Sequence, residues 1–155
     1  DVHRWYRARM ERYDVFYRGN PLQIDWDIVM GYSGDFKIEL IEVLRSSGPT
    51  VYSEVFGPDG EGFHHLCISV GSLDKTLPVL KQSGIEVMQH GVTHLAGGSV
   101  GRYAYVDMRG RGGCILELLE VRLHGIRLKN SRWLLRLGEM IGGVEGISPE
   151  DLQDP

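Results

Sequence analysis

Apolar residues recur at every second position along several stretches of this chain, which is the pattern of half-buried β-strands. Alternation of this kind runs through residues 24–30 and again through residues 36–43. The short connection between them, Tyr-Ser-Gly-Asp at residues 32–35, is typical of a tight turn. The pattern therefore predicts a β-hairpin near the start of the chain, and we expect residues 1–18 before it to be extended.

The central part of the chain adds one helical pattern to the strands. Leucines three and four positions apart follow Ser72, a predicted N-cap, and the pattern stops at Gly84. We predict strands on both sides of this helix, at residues 63–70, 85–89, 102–108 and 114–121, with a glycine-rich loop at residues 90–101. Residues 63–121 thus have the order β-α-β-β-β.

Two strand-like segments are similar in sequence, FKIELIEV at residues 36–43 and CILELLEV at residues 114–121. Each is the last strand of its half, which predicts a duplicated module. The first half follows the same plan without an opening strand and helix. We predict a partial first module at 1–44, a linker at 45–62, a complete second module at 63–121, and a C-terminal helical extension at 122–155. Ser131 is the predicted cap of the C-terminal helix.

Composition and charge limit the classes of function. The 155 residues are 42% hydrophobic and 25% charged, as in globular proteins, and the formal net charge is −4. This charge gives no basis for binding nucleic acid or an anionic membrane, and no apolar run reaches the roughly 20 residues that span a bilayer. With no visible secretory signal, Cys67 and Cys114 are expected to be reduced thiols of a cytoplasmic protein.

Two glutamates stand at equivalent positions of the repeated strands, each between apolar residues. An unpaired buried carboxylate costs several kcal/mol, so Glu39 and Glu117 need a cation or a hydrogen-bond donor if they point inward. Glu42 and Glu120 come three residues later and therefore face the opposite side of the sheet. These acids are candidates for catalysis or metal binding.

A histidine in the second module completes a candidate site. In FHHLCISV, alternation puts His65, Cys67 and Ser69 on one face, which we expect to line a cavity. The opposite face, with Leu66 and Ile68, is expected to pack beneath the helix. One imidazole and two carboxylates suit Zn, Mn, Fe, Co or Ni. The plain alternative is a structural histidine and two solvent-facing acids, since no closely spaced motif such as HExxH is present.

Other residues are weaker candidates. Tyr103 and Tyr105 share a strand face and are predicted to line a substrate pocket or simply to pack. His90 and His94 are predicted in a surface loop that could cover the cavity. The glycine clusters lack the strand-to-helix context of a phosphate loop, so nucleotide binding is not expected. Three arginines could hold an anionic substrate group: Arg102, Arg109 and Arg111.

The segments GEGFHHLCISVGSLDKTLPVLKQSGIEV, GGSVGRYAYVDMRGRGGCILELLE and YRGNPLQIDWDIVMGYSGDFKIELIEV together resemble the vicinal oxygen chelate superfamily. The similarity is greatest to its methylmalonyl-CoA epimerase-like and glyoxalase-like branch. The resemblance implies an α+β fold in which paired βαβββ modules form an open, cupped mixed sheet around a divalent metal. It also implies metal ligands from the first and last strands of each module, which correspond here to Glu39, His65 and Glu117.

The chain departs from the family pattern in its first module. The strand that carries the fourth ligand, usually a histidine, has no counterpart, and His3 is not a good equivalent. Residues before Asp1 could supply this strand, or another chain could. A third alternative is that the C-terminal segment folds back into the vacant place, with His124 as the ligand.

The resemblance implies two functions from different classes. The first is a metal-dependent isomerase or lyase, in which the metal stabilises an enolate and Glu39 or Glu117 moves the proton. Dioxygenase chemistry ranks lower, because it requires a second histidine at the metal. The alternative is a non-catalytic protein that binds a drug or metabolite in the same cup. A small-molecule substrate and a homodimer are expected.

Overall fold

The structure, a computed structural model, describes residues 2–57, 60–128, 132–148 and 150–152. Strands dominate these residues, and four α-helices lie among them. The strands are β1 (Trp5–Ala8), β2 (Met10–Tyr17), β3 (Asn20–Leu22), β4 (Ile24–Ser33), β5 (Phe36–Ser46), β6 (His65–Ser69), β7 (Val87–Leu95), β8 (Ser99–Met108), β9 (Cys114–Leu123), β10 (Ile126–Leu128) and β11 (Val144–Ile147). The helices are α1 (Val51–Phe56), α2 (Leu73–Gln82), α3 (Arg109–Gly112) and α4 (Arg132–Met140), and two 3-10 turns lie at Ala96–Gly98 and Glu150–Leu152. The predicted α+β class is confirmed.

The larger sheet contains the second module. Its strand order is β10-β9-β8-β7-β2-β3, and β6 joins it by pairing in parallel with β9. All other neighbours in this sheet are antiparallel. Helix α2 connects β6 to β7 and packs on the apolar face of β8 and β9, where Leu73, Ala104 and Leu118 are buried. The β-α-β-β-β order is the one that the alternation of the sequence predicts.

The smaller sheet has the order β11-β1-β4-β5. Its centre is the predicted hairpin, in which β4 and β5 pair antiparallel from Ile24 opposite Ser46 to Ser33 opposite Phe36. The hairpin prediction is therefore confirmed. Strand β5 is the edge of this sheet, since no other described strand pairs with it.

The C-terminal segment contributes more than the predicted helix. Helix α4 packs through Leu135 against Tyr6 and Val144, and β11 pairs with β1 in the smaller sheet. Neither β10 nor β11 was expected, because strands of three or four residues are too short to produce a clear alternation. The predicted cap Ser131 lies outside the described residues.

Two local predictions were wrong, and a third was right only in position. Residues 90–101, predicted as a loop, lie mostly in β7 and β8, because β7 has β2 on one edge and β8 on the other to satisfy its backbone. Ser72 is the N-cap residue of α2, as predicted, but its side chain makes no capping hydrogen bond. The apolar face of β6 is not covered by α2, and Leu66 and Ile68 are 51% and 47% exposed.

Among the described residues, none of the helices is long and apolar enough to cross a bilayer.

Candidate metal centre

Three strands bring together the residues that the repeat singled out. In the parallel pair of β6 and β9, His65 lies opposite Ile115 and Cys67 lies opposite Glu117, so all four side chains share one face. Strand β5 supplies Glu39 from the other sheet. Ligand atoms of Glu39, His65 and Glu117 all lie within 4.8 Å of one another, and the three side chains are largely shielded from solvent. The sequence repeat predicted that the two acids are equivalent, and the packing of the two sheets brings their carboxylates close together.

The ring orientation of His65 is set by its neighbour His64. The Nε2 atom of His64 is 3.1 Å from the carbonyl oxygen of Val51, which can only accept, so Nε2 carries the proton. Burial lowers the pKa of His64 to about 4, which keeps the ring neutral at neutral pH and leaves Nδ1 as an acceptor. The Nδ1 atoms of His64 and His65 are 3.0 Å apart, so His65 donates from Nδ1. The hydrogen bond to His64 thus leaves Nε2 of His65 directed into the site.

Glu117 faces Nε2 of His65. Its Oε2 atom is 3.4 Å from that nitrogen, is buried, and has no hydrogen-bond partner among the described residues. Burial opposes the charge of Glu117, but His65, Lys37 and the Cys67 thiol outweigh it, so the pKa of this carboxyl lies below its ordinary value. A buried anionic oxygen beside an imidazole nitrogen is stabilised by a proton on that nitrogen or by a metal cation between the two atoms.

These donors fit a divalent first-row metal. One imidazole nitrogen and two carboxylates are a donor set that suits Zn, Co, Ni, Mn or Fe, and the orphaned oxygen of Glu117 offers a lone pair for such an ion. The hydrogen bond from His65 to His64 corresponds to the outer-shell contact that orients metal-binding histidines. The candidate site thus has both ligands and support for them.

Lys37 is a site residue that the sequence analysis missed. Its ammonium group pairs with Glu39 inside the cup, and its side chain is only 12% exposed. Burial disfavours the charge, but Glu39 and Glu117 outweigh it and raise the pKa of Lys37 above its ordinary value. The repeat held a signal for it, because Lys37 stands where the second strand has the buried Ile115.

The site opens into a cavity of about 170 Å³. Of the predicted pocket residues, Tyr103 and Tyr105 line this cavity, and Cys67 lies beside Glu117. Ser69 is exposed and does not line it. Ser69 is four positions beyond His65 on the same strand, a distance of about 13 Å, so it lies past the site. Tyr52 of α1 also lines the cavity, and its hydroxyl is 2.9 Å from that of Tyr105.

The remaining histidines lie elsewhere. His90 stacks on Phe16 across β2 and β7, with ring centroids 5.1 Å apart, and Nε2 of His94 is 3.2 Å from the guanidinium of Arg12. His3 is exposed near the N-terminal end of the described chain. His124 occupies the turn between β9 and β10, so it does not take the place of a fourth ligand.

The predicted anion-binding arginines are engaged in ion pairs or hydrogen bonds on the surface. Arg102 pairs with Asp74, Arg109 pairs with Asp107, and Arg111 donates to the carbonyl of Ser83. None of the three arginines lines the cavity. Asp107 is only two residues from Arg109 in the sequence. The partners of Arg102 and Arg111 come from α2 and the residue after it, and sequence spacing does not reveal these contacts.

Comparison with known proteins gives the family. The family model for the Glyoxalase/Bleomycin resistance protein/Dioxygenase superfamily matches residues 2–105, which is more than half of the chain. This match includes Glu39 and His65 and ends before Glu117. No curated protein matches the chain. The chain belongs to the Glyoxalase/Bleomycin resistance protein/Dioxygenase superfamily.

Proposed function

We propose that this chain is a metal-dependent vicinal-oxygen-chelate enzyme of the epimerase-like and glyoxalase-like type. Its reaction is an isomerisation or lyase-type rearrangement of a small oxygenated substrate. The observation that carries this proposal is the convergence of ligand atoms of Glu39, His65 and Glu117 within 4.8 Å, with a buried Glu117 oxygen that has no hydrogen-bond partner among the described residues.

In this proposal the three side chains hold Zn, Co, Ni, Mn or Fe. When bound, the metal polarises two neighbouring oxygens of the substrate and stabilises the negative charge that develops when the adjacent carbon loses a proton. His65 binds through Nε2, while its Nδ1–H donates to His64. Glu39 or Glu117 takes the proton and returns it. The cup walls exclude bulk water from these carboxylates.

One observation favours a second function, a non-catalytic protein that binds a small molecule. The ammonium group of Lys37 already lies beside Glu39 and offers positive charge to both acids, so the site is partly neutralised by the chain itself. A mostly apolar cavity adjoins it. Such a cup could sequester a drug or metabolite without a metal.

Metal titration of the purified protein by calorimetry tests the enzyme proposal. We expect about one divalent ion per chain, and at least 100-fold weaker binding by Glu117→Gln, which removes a ligand charge. Glu42→Gln is the matched control, because Glu42 is an exposed acid of β5, the strand equivalent to β9. Absence of binding, or equal binding by Glu117→Gln, would contradict the metal site.

A proton-exchange assay separates the enzyme from the binding protein. Hydroxyacetone has two neighbouring oxygens and exchangeable protons next to its carbonyl, so proton NMR in D₂O can follow loss of these protons. The enzyme proposal predicts metal-dependent exchange that Glu117→Gln abolishes. Binding of metal with no exchange of this or related hydroxyketones favours the binding protein.

We further propose a cytoplasmic homodimer. Both cysteines are free thiols, as expected in a reducing compartment. Apolar side chains of β5, including Ile38 at 38% and Leu40 at 47%, are exposed on an edge strand, which favours pairing with a second copy. Ile38→Asp should therefore dissociate the dimer in analytical ultracentrifugation. The control Ile126→Asp, at a 71% exposed position on β10, should not. A monomeric parent protein would refute the dimer.

A further inference from the structure

The cavity beside the candidate metal centre is an extended apolar channel. Along β9, Glu117 lines the cavity and is followed at every second position by Leu119, Val121 and Leu123. From Glu117 to Leu123 the strand extends about 20 Å. The cavity wall therefore changes from charged at one end to aliphatic along its length.

The opposite walls of the cavity are also mostly apolar. Strand β4 contributes Trp26, Ile28 and Met30, and strand β8 contributes Gly101 between Tyr103 and Ser99. Helix α4, with the residue after it, lies across the far part of the cavity with leucines and an isoleucine. The residues that line it here are Leu134, Leu135, Leu137 and Gly138 of α4 and Ile141 directly after the helix.

Charge along the cavity is confined to one end. Among the residues that line it, the charged ones are Lys37, Glu39 and Glu117, all at the candidate metal centre. Apart from the hydroxyl residues Thr93 and Ser99, the far end offers no polar side chain among the described residues, so a ligand with a charged group there would leave that charge desolvated and unpaired, which costs several kcal/mol. A ligand with an apolar body loses nothing there and gains from burial.

We propose that the substrate is an amphiphile, a vicinal-oxygen compound that carries an apolar substituent directed along β9 toward α4. This inference rests on the proposed function for its polar end. The cavity of about 170 Å³ is slightly larger than an engineered apolar cavity of roughly 150 Å³ that admits benzene. The apolar group is thus a ring or a short alkyl chain, and α4 forms the wall that limits its length.

Gly101 allows the channel to be filled without strain. It lies within β8 and lines the cavity, and a Cβ atom at this position would meet no heavy atom within 4 Å. Gly101→Leu therefore extends into the space that the apolar group would occupy. Gly110 in the exposed α3 turn has equally open surroundings, so Gly110→Leu is a matched control outside the cavity.

The test uses n-alkyl hydroxamates from two to eight carbons, which chelate metals through two neighbouring oxygens, titrated into the Zn²⁺-loaded protein by calorimetry. We expect affinity to rise about fourfold with each methylene that enters the channel. Gly101→Leu should remove most of this rise and leave acetohydroxamate binding unchanged, whereas Gly110→Leu should behave like the parent protein. Equal affinity across the series, or an unchanged rise in Gly101→Leu, would overturn the proposal.

A second measurement separates this inference from the proposed function. If calorimetry shows no Zn²⁺ binding, the metal site is refuted, and n-alkanols of the same lengths are titrated into the metal-free protein. The apolar subsite predicts the same dependence on chain length and the same loss in Gly101→Leu. An alkanol series without this dependence would refute the subsite itself.

Discussion

Strands β5 and β9 have nearly the same sequence pattern, but in the part of the chain that the structure describes a helix covers β9 and not β5. Leu118 of β9 is 2% exposed because α2 covers it, whereas the equivalent Leu40 of β5 is 47% exposed. Other apolar side chains on this face of β5 are also exposed, Ile38 by 38% and Phe36 by 78%. An apolar strand face becomes core only when another element packs on it.

The outer acids of the two repeats differ in the same way. Glu120 is 1% exposed and accepts a 2.9 Å hydrogen bond from the Leu73 backbone N–H at the start of α2. Burial opposes its charge, but that N–H, Arg122 and Arg102 outweigh it, so the pKa of Glu120 lies below its ordinary value. Glu42, at the equivalent position of β5, is exposed. The helix thus converts a surface acid into a capping group.

The inner faces of the repeats differ in charge beside the shared glutamates. Ile115 in β9 is 1% exposed in the core, whereas the equivalent Lys37 in β5 pairs with Glu39 in the cup. The two repeats therefore keep the metal-type acids in common and diverge at the neighbouring position. Divergence within the cup tunes the charge at the candidate metal centre.

The largest expected contrast is in core packing. Leu118→Ala should lower the free energy of unfolding by about 2–5 kcal/mol, since it leaves a cavity beneath α2. Leu40→Ala should cost about 1 kcal/mol or less, because its side chain remains half in water. Urea unfolding of both variants measures the difference. A similar loss for Leu40→Ala that grows with protein concentration would show that a second copy covers β5.

The next largest contrast in stability is expected between variants of the two outer acids, Glu120 and Glu42. Glu120→Gln should cost about 1–3 kcal/mol, because it weakens charge-assisted bonds to Leu73 and Arg122, whereas Glu42→Gln should change stability by about 0.5 kcal/mol or less. The folded state favours the Glu120 carboxylate, so its contribution is complete above the ordinary glutamate pKa of about 4.3 and declines as the pH falls through the lowered folded pKa. Unfolding curves between pH 3 and 7 check both effects. An identical pH profile for Glu120→Gln and the parent would contradict this assignment.

The imidazole comes from the second module alone, and its orientation depends on His64. His64→Phe keeps ring packing against Tyr52 but removes the hydrogen bond to His65, so metal affinity should fall about 10–100-fold. The control His90→Phe changes a partly buried histidine outside the site. Calorimetry gives the affinities, and urea unfolding without metal shows whether the fold is intact. Unchanged affinity in His64→Phe would show that His65 needs no positioning partner.

The smallest expected effect comes from removing the charge of Lys37, which the inner face of β9 lacks at the equivalent position. Lys37→Met removes a positive charge that competes for Glu39, and metal affinity should rise by roughly tenfold. Lys75→Met makes the same charge change at an exposed position of α2 and should leave affinity unchanged. Calorimetric titration compares the two variants. Weaker binding in Lys37→Met would show that the lysine supports the site instead of competing for it.

Much of the candidate site could be predicted from the chain. Alternation put Glu39 and Glu117 on equivalent strand positions, and the cost of burying a charge marked both as candidates. Ser69 and Lys37 could not be placed correctly in this way. Strand alternation identifies the face of a residue, but it does not say how far along the strand the cavity extends, or whether a long side chain folds back to a neighbour.

By itself the sequence determined the hairpin, the strand-helix-strand order of the second module and the repeated acids, because these depend on residue spacing within one element. The tertiary structure decided which apolar faces are covered, that β7 continues through residues 90–95, and that α4 bounds the cavity. It also brought Glu39 from one sheet to His65 and Glu117 of the other. The physical reason is that these outcomes depend on contacts between distant segments, and periodicity within a segment carries no information about its partner.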